Sequence, residues 1–134
     1  MNDKLTFSHL HVHSEYSIKD GMMTIPKMVD KAIASGMNAI ALTDHGFMGG
    51  VQELFEYCDQ LNVQRISNGQ TPFKPIAGCE VFVDTKAYHL VLLAKNLKGY
   101  QNLCHIVSSG FLLKTTIATN PVCHSPRLSN TTRG

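Results

Sequence analysis

Three histidines, His9, His11 and His13, occupy alternate positions in the stretch "LTFSHLHVHSEYS", residues 5–17. On an extended strand, alternate side chains share a face. His11 and His13 would then project about 6–7 Å apart. Two imidazoles so placed can converge on one cation through bonds of about 2.0–2.1 Å. A merely wet strand face is served equally well by Ser, Thr or Lys, so the repetition favours a ligand role. His9 lies further from the strand end and suits a supporting role.

Other groups could join them. "TDHG", residues 43–46, follows an apolar run directly. In parallel α/β folds that is the C-terminal end of a strand, where sites collect. His45 could ligate there, and Asp44 could ligate or orient a ligand, or simply make the turn. Glu80 interrupts the apolar run "IAGCEVFV". An ionised carboxylate inside such a strand is costly unless paired or metal-bound; otherwise it faces outward. His89 opens "HLVLLA" and is a ligand or a strand-edge histidine. Asp20 precedes Gly21 in a common turn pair. "GFMGG" at 46–50 lacks phosphate-loop spacing, and His105 falls on a helix surface. Mixed imidazole and carboxylate donors suit zinc, manganese or iron rather than calcium. Clusters of two or three such ions act on phosphate esters.

These groups need elements to position them. Residues 5–13 alternate as a strand. Thr24 can cap a helix with Pro26 in its first turn; Met28, Val29, Ala32 and Ile33 form its apolar stripe, and Gly36 ends it. Ala39–Leu42 reads as a buried parallel strand. A second helix spans about 49–61, followed by a polar loop over 62–75. "PIAGCEVFV" and "YHLVLLA" read as strands and "LKGYQNLCHIVSSGF" as a helix. The alternation predicts an α/β fold with mostly parallel strands. A whole eight-fold barrel takes about 250 residues, so this chain could hold only part of one. Residues 114–134, rich in Thr, Ser, Asn and Pro, are expected to be poorly ordered. No internal repeat is present.

The chain's 134 residues suffice for one small domain with a core. Hydrophobic residues make up 43% and charged residues 16%, which suits a soluble globular protein. A net charge of +2 and the lack of a Lys/Arg block give little support for nucleic-acid binding. Seven histidines are many for this length. The four cysteines make no C-x-x-C knuckle, and reduced thiols in a cytoplasmic protein are expected. No signal peptide or membrane-spanning run is evident.

"HLHVHSEYSIKDG", "ALTDHG", "KPIAGCEVF" and "YHLVLLAKNLKGYQNL", in this order, closely resemble the polymerase and histidinol phosphatase (PHP) domain that opens bacterial DNA polymerase III alpha subunits. The likeness runs from about residue 5 to about 111, and "AKNLKGYQNL" resembles the polymerase branch in particular. It implies a PHP-type distorted (β/α) barrel, incomplete at its C-terminal end, with 1–113 as PHP portion and 114–134 as an atypical tail. It implies metal ligands at His11, His13, Asp20, His45, Glu80 and His89, with no further catalytic residue. His11, His13 and Glu80 would hold a first ion, Glu80 and His89 a second, and Asp20 and His45 a third. His9 falls where many relatives carry Asp and is not carried over as a ligand. "ATNPVCH", residues 118–124, only faintly resembles a late "A-T-N-D-x-H" motif. Pro121 stands in the Asp position and cannot ligate, and His124 is displaced by one.

The expected function is therefore the N-terminal PHP region of a replicative DNA polymerase, a nucleotidyltransferase. It would carry part of a multinuclear phosphoesterase or 3′–5′ exonuclease site. Zinc, manganese or iron, up to three ions, would be the cofactors. DNA and other replisome subunits would be partners through the full-length protein, with no membrane. The polymerase palm, fingers and thumb are not expected in this chain. The alternatives are a stand-alone phosphatase on a small phosphomonoester and a non-catalytic structural module.

Overall fold

The structure is a computed structural model that describes residues 7–83, 88–112 and 122–123. Its elements, in chain order, are α1 (Ile25–Ala34), β1 (Ala39–Leu42), α2 (Gly50–Ser67), β2 (Lys74–Val83), β3 (Tyr88–Leu93), α3 (Leu97–Leu112) and β4 (Val122–Cys123). Pro26 sits at the start of α1, where its missing N–H costs nothing. The hydroxyl of Thr24 makes no cap bond; its carbonyl accepts the Met28 N–H at 3.0 Å instead. Gly36 leaves the helix at φ +80°, a left-handed geometry that favours glycine.

α2 runs past the expected stop at Leu61 to Ser67, into the stretch expected to be a loop. A bracket from Asn62 accounts for the extra turns. Its amide nitrogen donates to Phe73 O at 2.8 Å, and its oxygen accepts Phe73 N–H at 2.7 Å. The returning chain is thereby pinned to the helix, and Phe73 is driven into the core at 1% exposure.

β2 is the spine of the sheet. It pairs parallel with β1, with Leu42 opposite Ala77, and antiparallel with β3, with Glu80 opposite Val91 and Phe82 opposite His89. It also pairs parallel with β4 at Phe82 and Val83. The α/β expectation holds with one exception: β3 returns antiparallel. Period-two alternation assigns the faces of β2. Ala77 shares a core cluster with Ile25, Val29, Leu42 and Leu54 from α1, β1 and α2, and with Phe73 just ahead of β2. Cys79 and Val81 pack with Ile106 and Val107 from α3. All three helices therefore cover one face, and Gly78, Glu80 and Phe82 belong to the other.

The histidine-bearing segment differs from expectation. Residues 7–13 form no regular strand, and residues 5–6 lie outside the described residues. The segment still lies along β1: Ala41 N–H donates to His9 O at 3.0 Å and Thr43 N–H to Val12 O at 2.9 Å. The donors are two residues apart and the acceptors three. One extra residue on the outer segment breaks the ladder and the alternation of faces. The Thr43 hydroxyl ties down the irregular backbone, accepting Val12 N–H at 2.9 Å and donating to Val12 O at 3.1 Å. The tail expected to be poorly ordered lies outside the described residues, apart from Val122 and Cys123 in β4. Among the described residues, no helix is long and apolar enough to cross a membrane.

Candidate metal centre

Glu80 anchors the centre. It sits beyond the stretch of β2 paired with β1, where the parallel pairing shrinks to one bridge between Glu80 and His45. That bridge is made by Glu80 N–H donating to Asp44 O at 3.0 Å and Gly46 N–H donating to Glu80 O at 2.7 Å. The Glu80 carboxylate is only 3% exposed as a residue, yet four imidazoles reach it. Its Oε2 lies 2.6 Å from His11 Nε2 and 3.0 Å from His13 Nε2. Its Oε1 contacts His89 Nδ1 closely and lies 3.7 Å from His45 Nδ1. On its other side, His45 Nε2 meets Asp20 Oδ2 at 2.7 Å.

His13 and His45 pack edge-on, with ring centroids 4.1 Å apart. Phe82 stacks on His45 and stands edge-on to His89. The neighbours fix the electrostatics. Burial alone would push the Glu80 carboxyl up; hydrogen bonds from His11 and His89 and the nearby imidazoles outweigh it and hold the group below its usual range. Burial, followed by the imidazole of His45, lowers the pKa of His13. Both residues are thereby held in the form that binds a cation.

All six sequence-marked residues come together. His11, His13 and Glu80 form one group of converging ligand atoms, His13, Asp20 and His45 another, and His45, Glu80 and His89 a third. Two of these trios differ from the sets that the resemblance implied, because His13 and His45 each face two ways. The donor set fits divalent cations of the borderline class. Oε2 of Glu80 and the Nε2 atoms of His11 and His13 make a triangle with sides of 2.6, 2.9 and 3.0 Å. Donors at right angles around an ion with bonds of about 2.0–2.1 Å would be about 2.9 Å apart. In addition, Nδ1 of both His13 and His45 is buried without a hydrogen-bond partner, which a native fold rarely leaves unexplained. His9 packs its ring edge-on against Phe7 at 4.8 Å and joins none of the groups among the described residues.

The sequence alone did not single out Ser14 and Ser17. Both are buried against the Asp44 carboxylate, which is 1% exposed. Ser14 N–H and Ser17 Oγ donate to Oδ1, and Ser14 Oγ donates to Oδ2, each at 2.7 Å. Two serines three apart in "HSEYS" were the available signal, but serines are common wherever a chain turns. A cavity of about 460 Å³ opens beside the centre, lined by Tyr16, Ile18, Lys19 and Phe82 together with Asp20, His45 and His89. Its size is in the range of small-molecule sites.

Comparison with known proteins is consistent with this geometry. Residues 9–129 match the family model described as the PHP domain. A DNA polymerase III subunit alpha of Chlamydia pneumoniae is 38% identical over 120 residues, covering 80% of this chain and 9% of that protein. The corresponding proteins of Treponema pallidum and Borreliella burgdorferi are each 34% identical, covering 81% and 84% of this chain and 10% of each relative. The chain thus spans about a tenth of the length of these curated relatives. A solved chain described as a candidate metal-dependent phosphoesterase of Bifidobacterium adolescentis is 19% identical, with a TM-score of 0.49 over 78% of this chain and 35% of that one.

Proposed function

Because the chain belongs to the PHP domain family, we propose that it is the N-terminal PHP region of a replicative DNA polymerase III alpha subunit and that its centre holds divalent ions for phosphoesterase chemistry of the 3′–5′ exonuclease type. The observation that carries this reading is one buried carboxylate within reach of four imidazoles. His11, His13 and Glu80 would hold one ion, His45, Glu80 and His89 a second, and His13, Asp20 and His45 a third, of zinc, manganese or iron. Bound there, the ions would supply a hydroxide nucleophile and stabilise charge building on the phosphoryl group. The protein's own part is to keep Glu80 ionised and His13 neutral, so that neither must lose a proton to bind. The adjoining cavity offers room for the group esterified to the phosphate, and Lys19 on its wall offers a cation to it.

The face of β2 that bears Glu80 and Phe82, opposite the helices, suits the inner wall of an incomplete distorted (β/α) barrel. DNA and other replisome subunits are the partners this reading gives the full-length protein, and the cytoplasm its location. The test is metal analysis of the purified chain together with turnover of a single-stranded DNA 3′ end and of a small phosphomonoester. Bound ions with weak or absent turnover are expected, because Pro121 replaces an acidic ligand that the family resemblance would place there. Robust turnover by this chain alone would overturn that expectation. Preference for the phosphomonoester would point instead to a stand-alone phosphatase.

A further inference from the structure

Five of the six residues of the centre reach it from β2, from β3, from the end of β1, or from the segment hydrogen-bonded along β1. Asp20 alone comes from a loop, and its side chain is 57% exposed. Something other than strand pairing must hold it against His45. That loop is tightly closed on itself. Ser17 N–H donates to Ser14 O at 2.9 Å, and Asp20 and Gly21 N–H both donate to Ser17 O, at 2.9 and 2.7 Å. A Cβ on Gly21 would lie 1.6 Å from Ser14 O, so only glycine allows the closure.

We propose that Asp44 is a positioning residue for the Asp20–His45 side of the centre. Its carboxylate clamps the loop through Ser14 and Ser17, and the Ser17 hydroxyl in turn accepts His45 N–H at 3.1 Å. One buried anion therefore sets both the loop that carries Asp20 and the backbone that carries His45. Asp44 belongs to none of the ligand groups. Charge-assisted hydrogen bonds of this length are the strong ones, which is what an exposed loop ligand requires. The proposal rests on the metal-centre reading for its consequence and for its manganese readout, but not for its amide-exchange readout.

Two variants of the full chain, Asp44→Asn and Ser17→Ala, test it by two independent readouts. In EDTA-dialysed protein, amide exchange reports the clamp. The Ser14, Asp20 and Gly21 amides should exchange at least about tenfold faster in Asp44→Asn, the equivalent of about 1.4 kcal/mol. The Glu80 and Ala41 amides should be unchanged. With manganese added, both variants should show the reduced ion stoichiometry of Asp20→Asn while keeping the ion that depends on Glu80. A merely structural role would weaken all ions together with the fold. Unchanged loop exchange in Asp44→Asn would overturn the proposal. So would a folded Ser17→Ala that keeps the Asp20-dependent ion; this variant loses one hydroxyl and decides the matter if Asp44→Asn does not fold. If the unaltered chain binds no ion, the functional reading fails and the exchange arm still judges the clamp.

Discussion

Glu80→Gln preserves the side chain's shape and removes its charge, which makes it the sharpest probe of the centre. Both carboxylate oxygens are in use, Oε2 by His11 and His13 and Oε1 by His89 and His45. An amide would present a donor at one of these positions and a weaker acceptor at the other. Disturbing only the groups that orient a ligand typically costs 10–100-fold in affinity, so loss of the ligand's charge should cost at least about 100-fold. At a free zinc concentration about 1,000 times the dissociation constant of the unaltered protein, binding adds about 4.1 kcal/mol of stability. A 100-fold weaker variant retains about 1.4 kcal/mol at the same concentration and so loses about 2.7 kcal/mol. For a chain of 134 residues, at roughly 3–5 °C per kcal/mol, the zinc-induced rise in Tm should shrink by about 10 °C. Thermal unfolding followed by circular dichroism, in zinc and in EDTA, measures this directly. The EDTA arm isolates the loss of the carboxylate's own hydrogen bonds, about 1.5–3 kcal/mol for a charged acceptor. The His13, Asp20 and His45 group lacks Glu80, so some zinc response should survive. Equal zinc-induced shifts in both proteins would refute the assignment of Glu80 as a ligand.

Other outcomes follow from the same geometry. In EDTA, stability should fall with acid in two stages. Unfolded His13 takes up a proton below about pH 6.5, while its folded pKa is lowered, so urea midpoints should decline from there downward. The folded pKa of Glu80 is also lowered, so its contribution is present above about pH 4.3 and lost below as the carboxylate protonates. A flat profile between pH 7 and 5 would contradict the His13 assignment, and a flat profile from about pH 4.3 downward would contradict the Glu80 assignment. Burial pushes the Cys58 thiol up to about 11, so alkylation at pH 8 should reach Cys58 only on unfolding; labelling at the rate of a free thiol would show that the core is open there. Gly78→Ala would place a Cβ 2.7 Å from Leu93 Cδ2, 2.8 Å from Thr43 Cγ2 and 2.9 Å from Leu92 O. It should destabilise by about 1–3 kcal/mol in denaturant melts, and an unchanged melt would mean that β1 and β3 part more easily than their packing implies.

Much of the centre could be read from residue type and place. Histidines beside strand ends and a carboxylate inside an apolar run are chemically conspicuous, and β1 and the start of α3 follow from local pattern. The rest depended on partners that local pattern does not name. The register slip beside β1 exists because Thr43 can hold an irregular backbone, and nothing in "HLHVH" alone reveals that. α2 outruns its apolar stripe because Asn62 finds Phe73 eleven residues on. For Asp44, residue type leaves a turn, a ligand and a ligand-orienting role all open, and its burial under two serine hydroxyls appears only once the loop has folded onto β1. β3 returns antiparallel because it follows β2 through a short connection, too short for a parallel crossover.

The sharing of one carboxylate has a thermodynamic consequence. Glu80 belongs to two of the three ligand groups, and His13 and His45 also serve two each. Occupancies of sites with common ligands cannot be independent. The first ion would order side chains that the next requires and would also repel it, and the net coupling must be equal whichever ion binds first. Such a centre titrates as a unit. Its ion content should therefore respond to free metal more or less steeply than a single-site curve, with the sign of the departure set by whether ordering or repulsion prevails.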